Sequence, residues 1–350
     1  MHLPLKRVAE DHNEINQEGV SLNNRGFDFL FRRIDKYLKS ADLVFGNLEF
    51  PILAPYDSKE FVFNCYPEVL PALKKAGFNF FNLANNHILD QGEEGILSTI
   101  RELEKNQLSF IGVNRNKFVS RAGYILTSHN LNIGFIAYTG ILNRPWPKKR
   151  KGFYINNFYD KEKVCQDIKQ IKDKCDYLIM TAHFGEEYQQ KPLVKDQDLL
   201  KDYVNEGVDL VIGHHPHVVQ PIEKIITIDQ REAYIFYSLG NFISNQQTPS
   251  ARFSIVLYTS LSCFNNSLQQ RFEVLPIMTL HKKTRSNKKN IQAVSIQEEI
   301  LFLQKEFKRS QGDKNVKKIL SKKIVRLKSK LRALKWILFQ DKEFKFIKFN

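Results

Sequence analysis

Sulfur and long apolar runs are both scarce in this chain. Four cysteines, Cys65, Cys165, Cys175 and Cys263, lie far apart among 350 residues with no Cys-x-x-Cys pair, so neither a zinc knuckle nor a disulfide framework is indicated. No window of about 18 apolar residues occurs that would span a bilayer. The opening stretch, MHLPLKRVAEDHNEINQEG, lacks the apolar centre of a secretory leader; as written, the chain is expected to be cytoplasmic. Most of the chain also lacks net charge. The formal +15 suggests nucleic acid until it is divided: residues 281–350 hold 21 Lys+Arg against 6 Asp+Glu, and the first 280 residues hold 32 of each. Composition, charge and periodicity change together near 280. The expected organisation is a domain over 1–280 followed by a basic amphipathic helical tail over 281–350.

What is present before 280 is an alternation of apolar runs with amphipathic segments, the pattern of βαβ units, in a chain long enough for a large α/β core. Helices are expected over YPEVLPALKKAG, with Pro67 in the first turn and Gly77 as the stop. Three more are expected over EEGILSTIRELEKN, DKEKVCQDIKQIKDK and DQDLLKDYVNEG, which keep the apolar i, i+3, i+4 spacing.

Polar clusters follow the strand-like runs. DLVFGNLEFP ends in Asn47 and Glu49, and FNFFNLANNHILDQG in Asn85, Asn86, His87 and Asp90. DYLIMTAHFGEEY ends in His183 and Glu187, DLVIGHHPHVVQ in His214, His215 and His217, and AYIFYSLGNFIS in Ser238 and Asn241. Parallel strands of an open α/β sheet bring their carboxyl ends to one edge, where ligands bind; groups from Asn47 to Asn241 would then converge. Imidazoles, carboxylates and carboxamides without thiols suit Zn, Mn or Fe, and several of each suit a pair of ions better than one. His215 and His217, with Pro216 between them, would reach an ion from a strand end or tight loop, since helical ligand pairs stand four apart. Each group has a plainer reading. A histidine after a strand is usually a hydrogen-bonded polar group, Asn85-Asn86-His87 is a reasonable turn sequence, and Glu49 alone would be a surface carboxylate. That all five strand ends carry such groups favours a site.

The segments GNLEFPI, NLANNHILDQGEEGI, HFGEEY, DLVIGHHPHVVQPIE and YSLGNF, in this order, resemble the capsule-biosynthesis CapA proteins, from about residue 26 to 280. Those proteins are linked to poly-γ-glutamate production and belong to the calcineurin-like metallophosphoesterase superfamily. The resemblance implies an α/β calcineurin-like metallophosphatase fold, a two-sheet β sandwich flanked by helices, with two divalent metal ions (Mn, Zn or Fe) at the strand ends. By the same resemblance Glu49 looks like the metal-bridging carboxylate, Asn86 like an amide ligand, and His183, His215 and His217 like imidazole ligands. His87 resembles the catalytic histidine that faces the phosphoryl group and aids the leaving group. Asn47, Asp90, Glu187, His214 and Asn241 are expected to support the ligands or touch substrate. The implied activity is phosphoesterase-type hydrolysis in capsule or poly-γ-glutamate biosynthesis. Two alternatives stand beside it: a non-catalytic binding or scaffold subunit of a polymer synthesis or export complex, and a nucleic-acid phosphodiesterase.

In one respect the chain departs from that family, which begins with an apolar strand ending in Gly-Asp, the Asp being a metal ligand. Here Asp11 and His12 follow charged residues rather than an apolar run, and the role is not carried to them. The expectation is that the natural start lies upstream, which would open an extracytoplasmic location; the other reading is a protein that has lost that strand and its metal ligand. At the other end, residues 314–339 place Leu320, Ile324, Leu327, Leu331, Leu334 and Leu338 at alternating steps of four and three, a helical stripe. Lys317, Lys318, Lys322, Lys323, Arg326, Lys330 and Lys335 surround it, with Trp336 and Phe339 near the end. This composition matches an interfacial helix on an anionic membrane surface, holding the protein peripherally at the inner face. Packing of the stripe on the body is the second expectation. Nucleic acid is disfavoured, because aromatics are not interleaved with the basic residues and no motif is present.

Overall fold

The computed structural model describes residues 3–15, 17, 21–114, 123–146, 153–264, 267–283, 289–310, 313–338 and 345–346; Phe339 lies outside them. Three short parallel strands, β1 (Phe45–Asn47), β2 (Phe80–Asn82) and β3 (Ser109–Ile111), form one sheet. β4 (Val113–Asn114) makes a small ladder with β7 (Tyr154–Ile155). A six-stranded sheet combines β5 (Tyr124–Ser128), β6 (Leu131–Thr139), β8 (Tyr177–His183), β9 (Leu210–His214), β10 (Ile222–Ile226) and β11 (Glu232–Phe236). Its order is β10-β11-β9-β8-β6-β5. The four inner strands are parallel, and β5 and β10 run antiparallel at the edges.

The period of two along each strand decides which layer a side chain serves. Phe135, Tyr177, Ile179, Leu210 and Phe236 meet Phe80 and Ile111 of the first sheet. Their neighbours Ile136, Leu178, Met180, Val211 and Ile235 pack with Val164, Ile168, Leu200 and Tyr203, which belong to the helices α6 (Lys161–Lys172) and α7 (Val194–Asn205). The first sheet is backed by α1 (Leu3–Asp11), α2 (Asp28–Phe31), α3 (Asp35–Leu38), α4 (Val69–Ala76) and α5 (Gly92–Lys105), through residues such as Phe27, Leu30, Leu70, Ile96 and Ile100. Two sheets between helical layers is the architecture expected from the sequence. The four helices read from periodicity are α4 to α7. Gly77 ends α4 with φ 117°, a left-handed conformation that glycine adopts freely; Pro67 sits in the turn just before the first helical residue. In α1, Leu5, Val8 and Ala9 are buried, while His12 stacks on Phe29 at 3.5 Å and meets Asn290 Oδ1 at 2.8 Å.

A third, antiparallel sheet contains β12 (Phe253–Phe264), β13 (Ser267–Lys283) and β14 (Lys289–Ser295), with β15 (Lys345–Phe346) beside β13. The change in composition near 280 falls inside β13, where Leu280 faces Gln292 and His281 faces Ile291. Residues on both sides of that position share one ladder, and the basic segment supplies a strand as well as helices. After β14 come α8 (Ile296–Arg309) and α9 (Lys314–Leu338). The apolar stripe of α9 does not face solvent. Leu327, Leu334 and Leu338 are buried against Val219, Phe253, Ile255, Val274 and α8, with Leu320, Ile324 and Leu331 partly buried alongside. Three buried leucines at about 1.5–3 kcal/mol each hold the helix to the body, so the face an interfacial helix would insert into lipid is covered. No described helix is long and apolar enough to cross a membrane.

Candidate functional site

The carboxyl ends of β1 and β2 are locked together by carboxamides. Asn47 Oδ1 accepts from Asn82 Nδ2 at 3.1 Å and from Asn85 Nδ2 at 3.3 Å, and Asn85 also donates to the Leu48 carbonyl at 3.0 Å. With its oxygen so engaged, Asn47 donates through Nδ2 to Glu49 Oε2 at 2.9 Å. The other carboxylate oxygen, Oε1, is buried without a hydrogen-bond partner and stands 4.0 Å from His183 Nε2. Asn86 spans the two sheets: its Oδ1 is 2.9 Å from His183 Nε2, and its Nδ2 donates to Asn143 Oδ1 at 3.1 Å.

His183 ends β8 and His214 ends β9, opposite each other in register. Gly213, just before His214, lies so close to the end of β11 that an added Cβ would come 2.0 Å from the Tyr237 carbonyl oxygen. Only glycine lets the strand turn out there. The chain then takes His215 through φ 101° and His217 through φ 61°. Non-glycine residues rarely adopt such angles, and where they persist the surrounding structure over-determines them. The result places the His215 ring centroid 4.9 Å from that of His183 and 6.0 Å from that of His217.

Asn241 orients His217. The Nδ2 of Asn241 is directed at three acceptors, the His217 and Ala251 carbonyls and Gln246 Oε1. Its Oδ1 therefore faces His217 Nδ1, at 2.9 Å, and that nitrogen must donate. Nε2 is left facing Glu187 Oε1 at 3.7 Å. Burial pulls the His217 pKa down, but Glu187, Glu49 and Asn241 together outweigh it and hold it above the usual imidazole value; the same contact lowers Glu187. The other imidazoles behave oppositely. Burial depresses His183 well below the ordinary value and carries His214 and His215 down to about 4, which keeps them neutral, the form that binds cations.

His87 lies on the same rim. Its Nδ1 is 2.6 Å from Asp90 Oδ2, which also accepts from the Phe63 amide at 2.6 Å, and the Phe63 ring stacks on the imidazole at 3.8 Å. Of the residues singled out in the sequence, His214 is the one turned aside, 6.5 Å from the Phe45 ring, with Nε2 unpartnered. Asn143 is a residue the sequence reading missed, as is Asn82, which braces Asn47. Asn143 follows β6, a sixth strand end, and touches both Asn86 and His87, with Nδ2 3.1 Å from His87 Nδ1; the strand-end rule applied to β6 would have found it.

The donor set is imidazole nitrogen, carboxylate and carboxamide oxygen, with Glu49 Oε1, His183 Nδ1 and His215 Nδ1 buried and unpartnered. That chemistry fits divalent cations. The spacing is open, however: among the described residues no three His, Cys, Asp or Glu side chains form a closed cluster able to hold an ion by themselves.

Comparison with known proteins points to the same family as the motifs. The chain is 32% identical over 239 residues to the capsule biosynthesis protein CapA of Bacillus anthracis, covering 64% of this chain and 56% of that protein. It is 28% identical over 274 residues to the PGA biosynthesis protein CapA of Bacillus subtilis strain 168, covering 74% and 67%. The chain thus spans little more than half of the first relative. Among solved structures, Haemophilus influenzae NAD nucleotidase aligns with a TM-score of 0.45 at 14% identity, over 92% of this chain and 58% of that one. The 5'-nucleotidase of Candida albicans aligns with 0.42 at 10%, over 93% and 56%. Residues 1–246 match the family described as bacterial capsule synthesis protein PGA_cap, and the chain belongs to that family.

Proposed function

We propose that this protein is a metal-dependent hydrolase of the phosphoesterase type, acting in capsule or poly-γ-glutamate biosynthesis. The observation that carries this reading is the meeting of Glu49, Asn86 and His183 from three strand ends on one rim: the buried, unpartnered Glu49 Oε1 stands 4.0 Å from His183 Nε2, which Asn86 Oδ1 approaches at 2.9 Å. A buried polar atom left unsatisfied costs about 1–3 kcal/mol, a cost that a cation held by Glu49 would remove. Glu49, Asn86, His183, His215 and His217 would hold two divalent ions, of the Mn, Zn or Fe type. When bound, such ions activate water and neutralise charge on phosphoester oxygens. The chain's own groups do the rest. Asn241 accepts the hydrogen bond from His217 Nδ1, so that Nε2 is the atom that would face an ion once the ring is neutral, and Asn47 aims Glu49. His87, held through Nδ1 by Asp90 and flattened against Phe63, keeps Nε2 for proton donation to a leaving alkoxide.

The open spacing of the imidazoles favours a second reading, a binding subunit of a polymer synthesis or export complex that uses the same rim without turnover. Metal content and hydrolysis of a chromogenic phosphodiester separate the two. Bound metal with turnover supports the hydrolase, and His217→Ala should then lower both by more than about 100-fold, beyond the range of supporting residues. Bound metal without turnover selects the binding subunit. Unchanged metal content in His217→Ala removes that residue from the ligand set.

A further inference from the structure

The face of α9 that points away from the body has a composition of its own. Helix α9 contains ten Lys and Arg residues and no Asp or Glu in 25 positions. With the leucine stripe turned inward, the opposite line runs through Lys318, Lys322, Val325, Ser329, Arg332 and Trp336, again at steps of four and three. All six are exposed, and Arg326 beside them is exposed too. Apolar groups stand among these charges: Val325 is 59% exposed, Trp336 74% and Ile319, on the flank, 54%. The helix extends for about 37 Å at 1.5 Å per residue, which suits a surface rather than a point ligand.

From this we infer that the outward face of α9 docks the folded protein on an anionic lipid bilayer. The basic residues supply attraction to the headgroups, and Trp336 with Val325 and Ile319 enter the interfacial layer, where such side chains are favoured. A soluble polyanion would satisfy the lysines and arginines but would bury none of the three apolar groups. The contact differs from that of a lipid-inserted amphipathic helix, because the leucines remain in the core and only the opposite face meets the membrane. It is independent of the hydrolase reading, since none of these residues belongs to the imidazole rim.

The test uses the full chain in co-sedimentation with vesicles of phosphatidylglycerol and phosphatidylcholine, against vesicles of phosphatidylcholine alone. Binding is expected only to the anionic vesicles, with release at high salt and a blue shift of tryptophan emission that Trp336→Phe abolishes. A variant carrying Lys318→Glu, Lys322→Glu, Arg326→Glu and Arg332→Glu, with unchanged circular dichroism and metal content, should lose partition by about 100-fold or more. Equal binding to neutral vesicles, equal partition of the variant, or vesicle binding with unmoved Trp336 emission would each overturn the inference. So would binding to poly-γ-glutamate or DNA without binding to vesicles, which would assign the face to a polymer.

Discussion

The imidazole rim and helix α9 put polar side chains to opposite uses. On the rim, His183 is fully buried, and burial keeps it and His215 neutral, so what these groups offer is a lone pair that reaches over the length of one bond. Along α9, Lys318, Lys322, Arg326 and Arg332 are exposed, and their effect is a field that reaches about 8–10 Å before salt screens it. Burial makes a polar group directional, whereas exposure leaves it strong only in number. The two regions are also held differently. Hydrogen bonds donated by Asn47 and Asn85 and accepted by Asn86 and Asn241 fix the rim, while α9 is held by leucines on its hidden side.

The comparison can be broken most sharply by salt. High ionic strength should abolish vesicle binding and leave bound metal unchanged, because buried short-range contacts are screened far less than exposed charges. Loss of both together would mean that the regions are not independent. Next in size, Asn241→Ala should cost about 10–100-fold in metal affinity by releasing the His217 ring, the range found for residues that orient ligands; titration with Mn or Zn followed by calorimetry measures it. The smallest contrast lies within α9 itself. Leu334→Ala should destabilise the fold by about 2–5 kcal/mol, whereas Val325→Ala should stay within about 0.5 kcal/mol in urea unfolding. Equal effects would mean that both faces are covered.

Much of this was legible in the chain itself. Helices α4 to α7 were readable because each buries one face, and the 3.6-residue period records it. The strand ends were readable because a run of apolar residues stops where polar groups begin. Asn143 was not found, since its polar side chain stands alone after β6, without neighbours of its kind to draw the eye. Asn82 was missed for a different reason: it ends β2 three residues before the more conspicuous Asn85-Asn86-His87 group, and its use in bracing Asn47 depends on a residue 35 positions away.

The sequence by itself determined the alternation of strand and helix, the ordered motifs that carry the family, and the stripe of leucines along α9. It also determined that the excess charge is C-terminal, since charge is a property of residues alone. Tertiary structure decided which side of α9 is covered, that β13 carries the chain through position 280 without a break, and which histidine of the His214 to His217 group turns away. Periodicity specifies a face but not its partner. A partner is chosen only when elements distant in the chain compete to exclude water from the same surface.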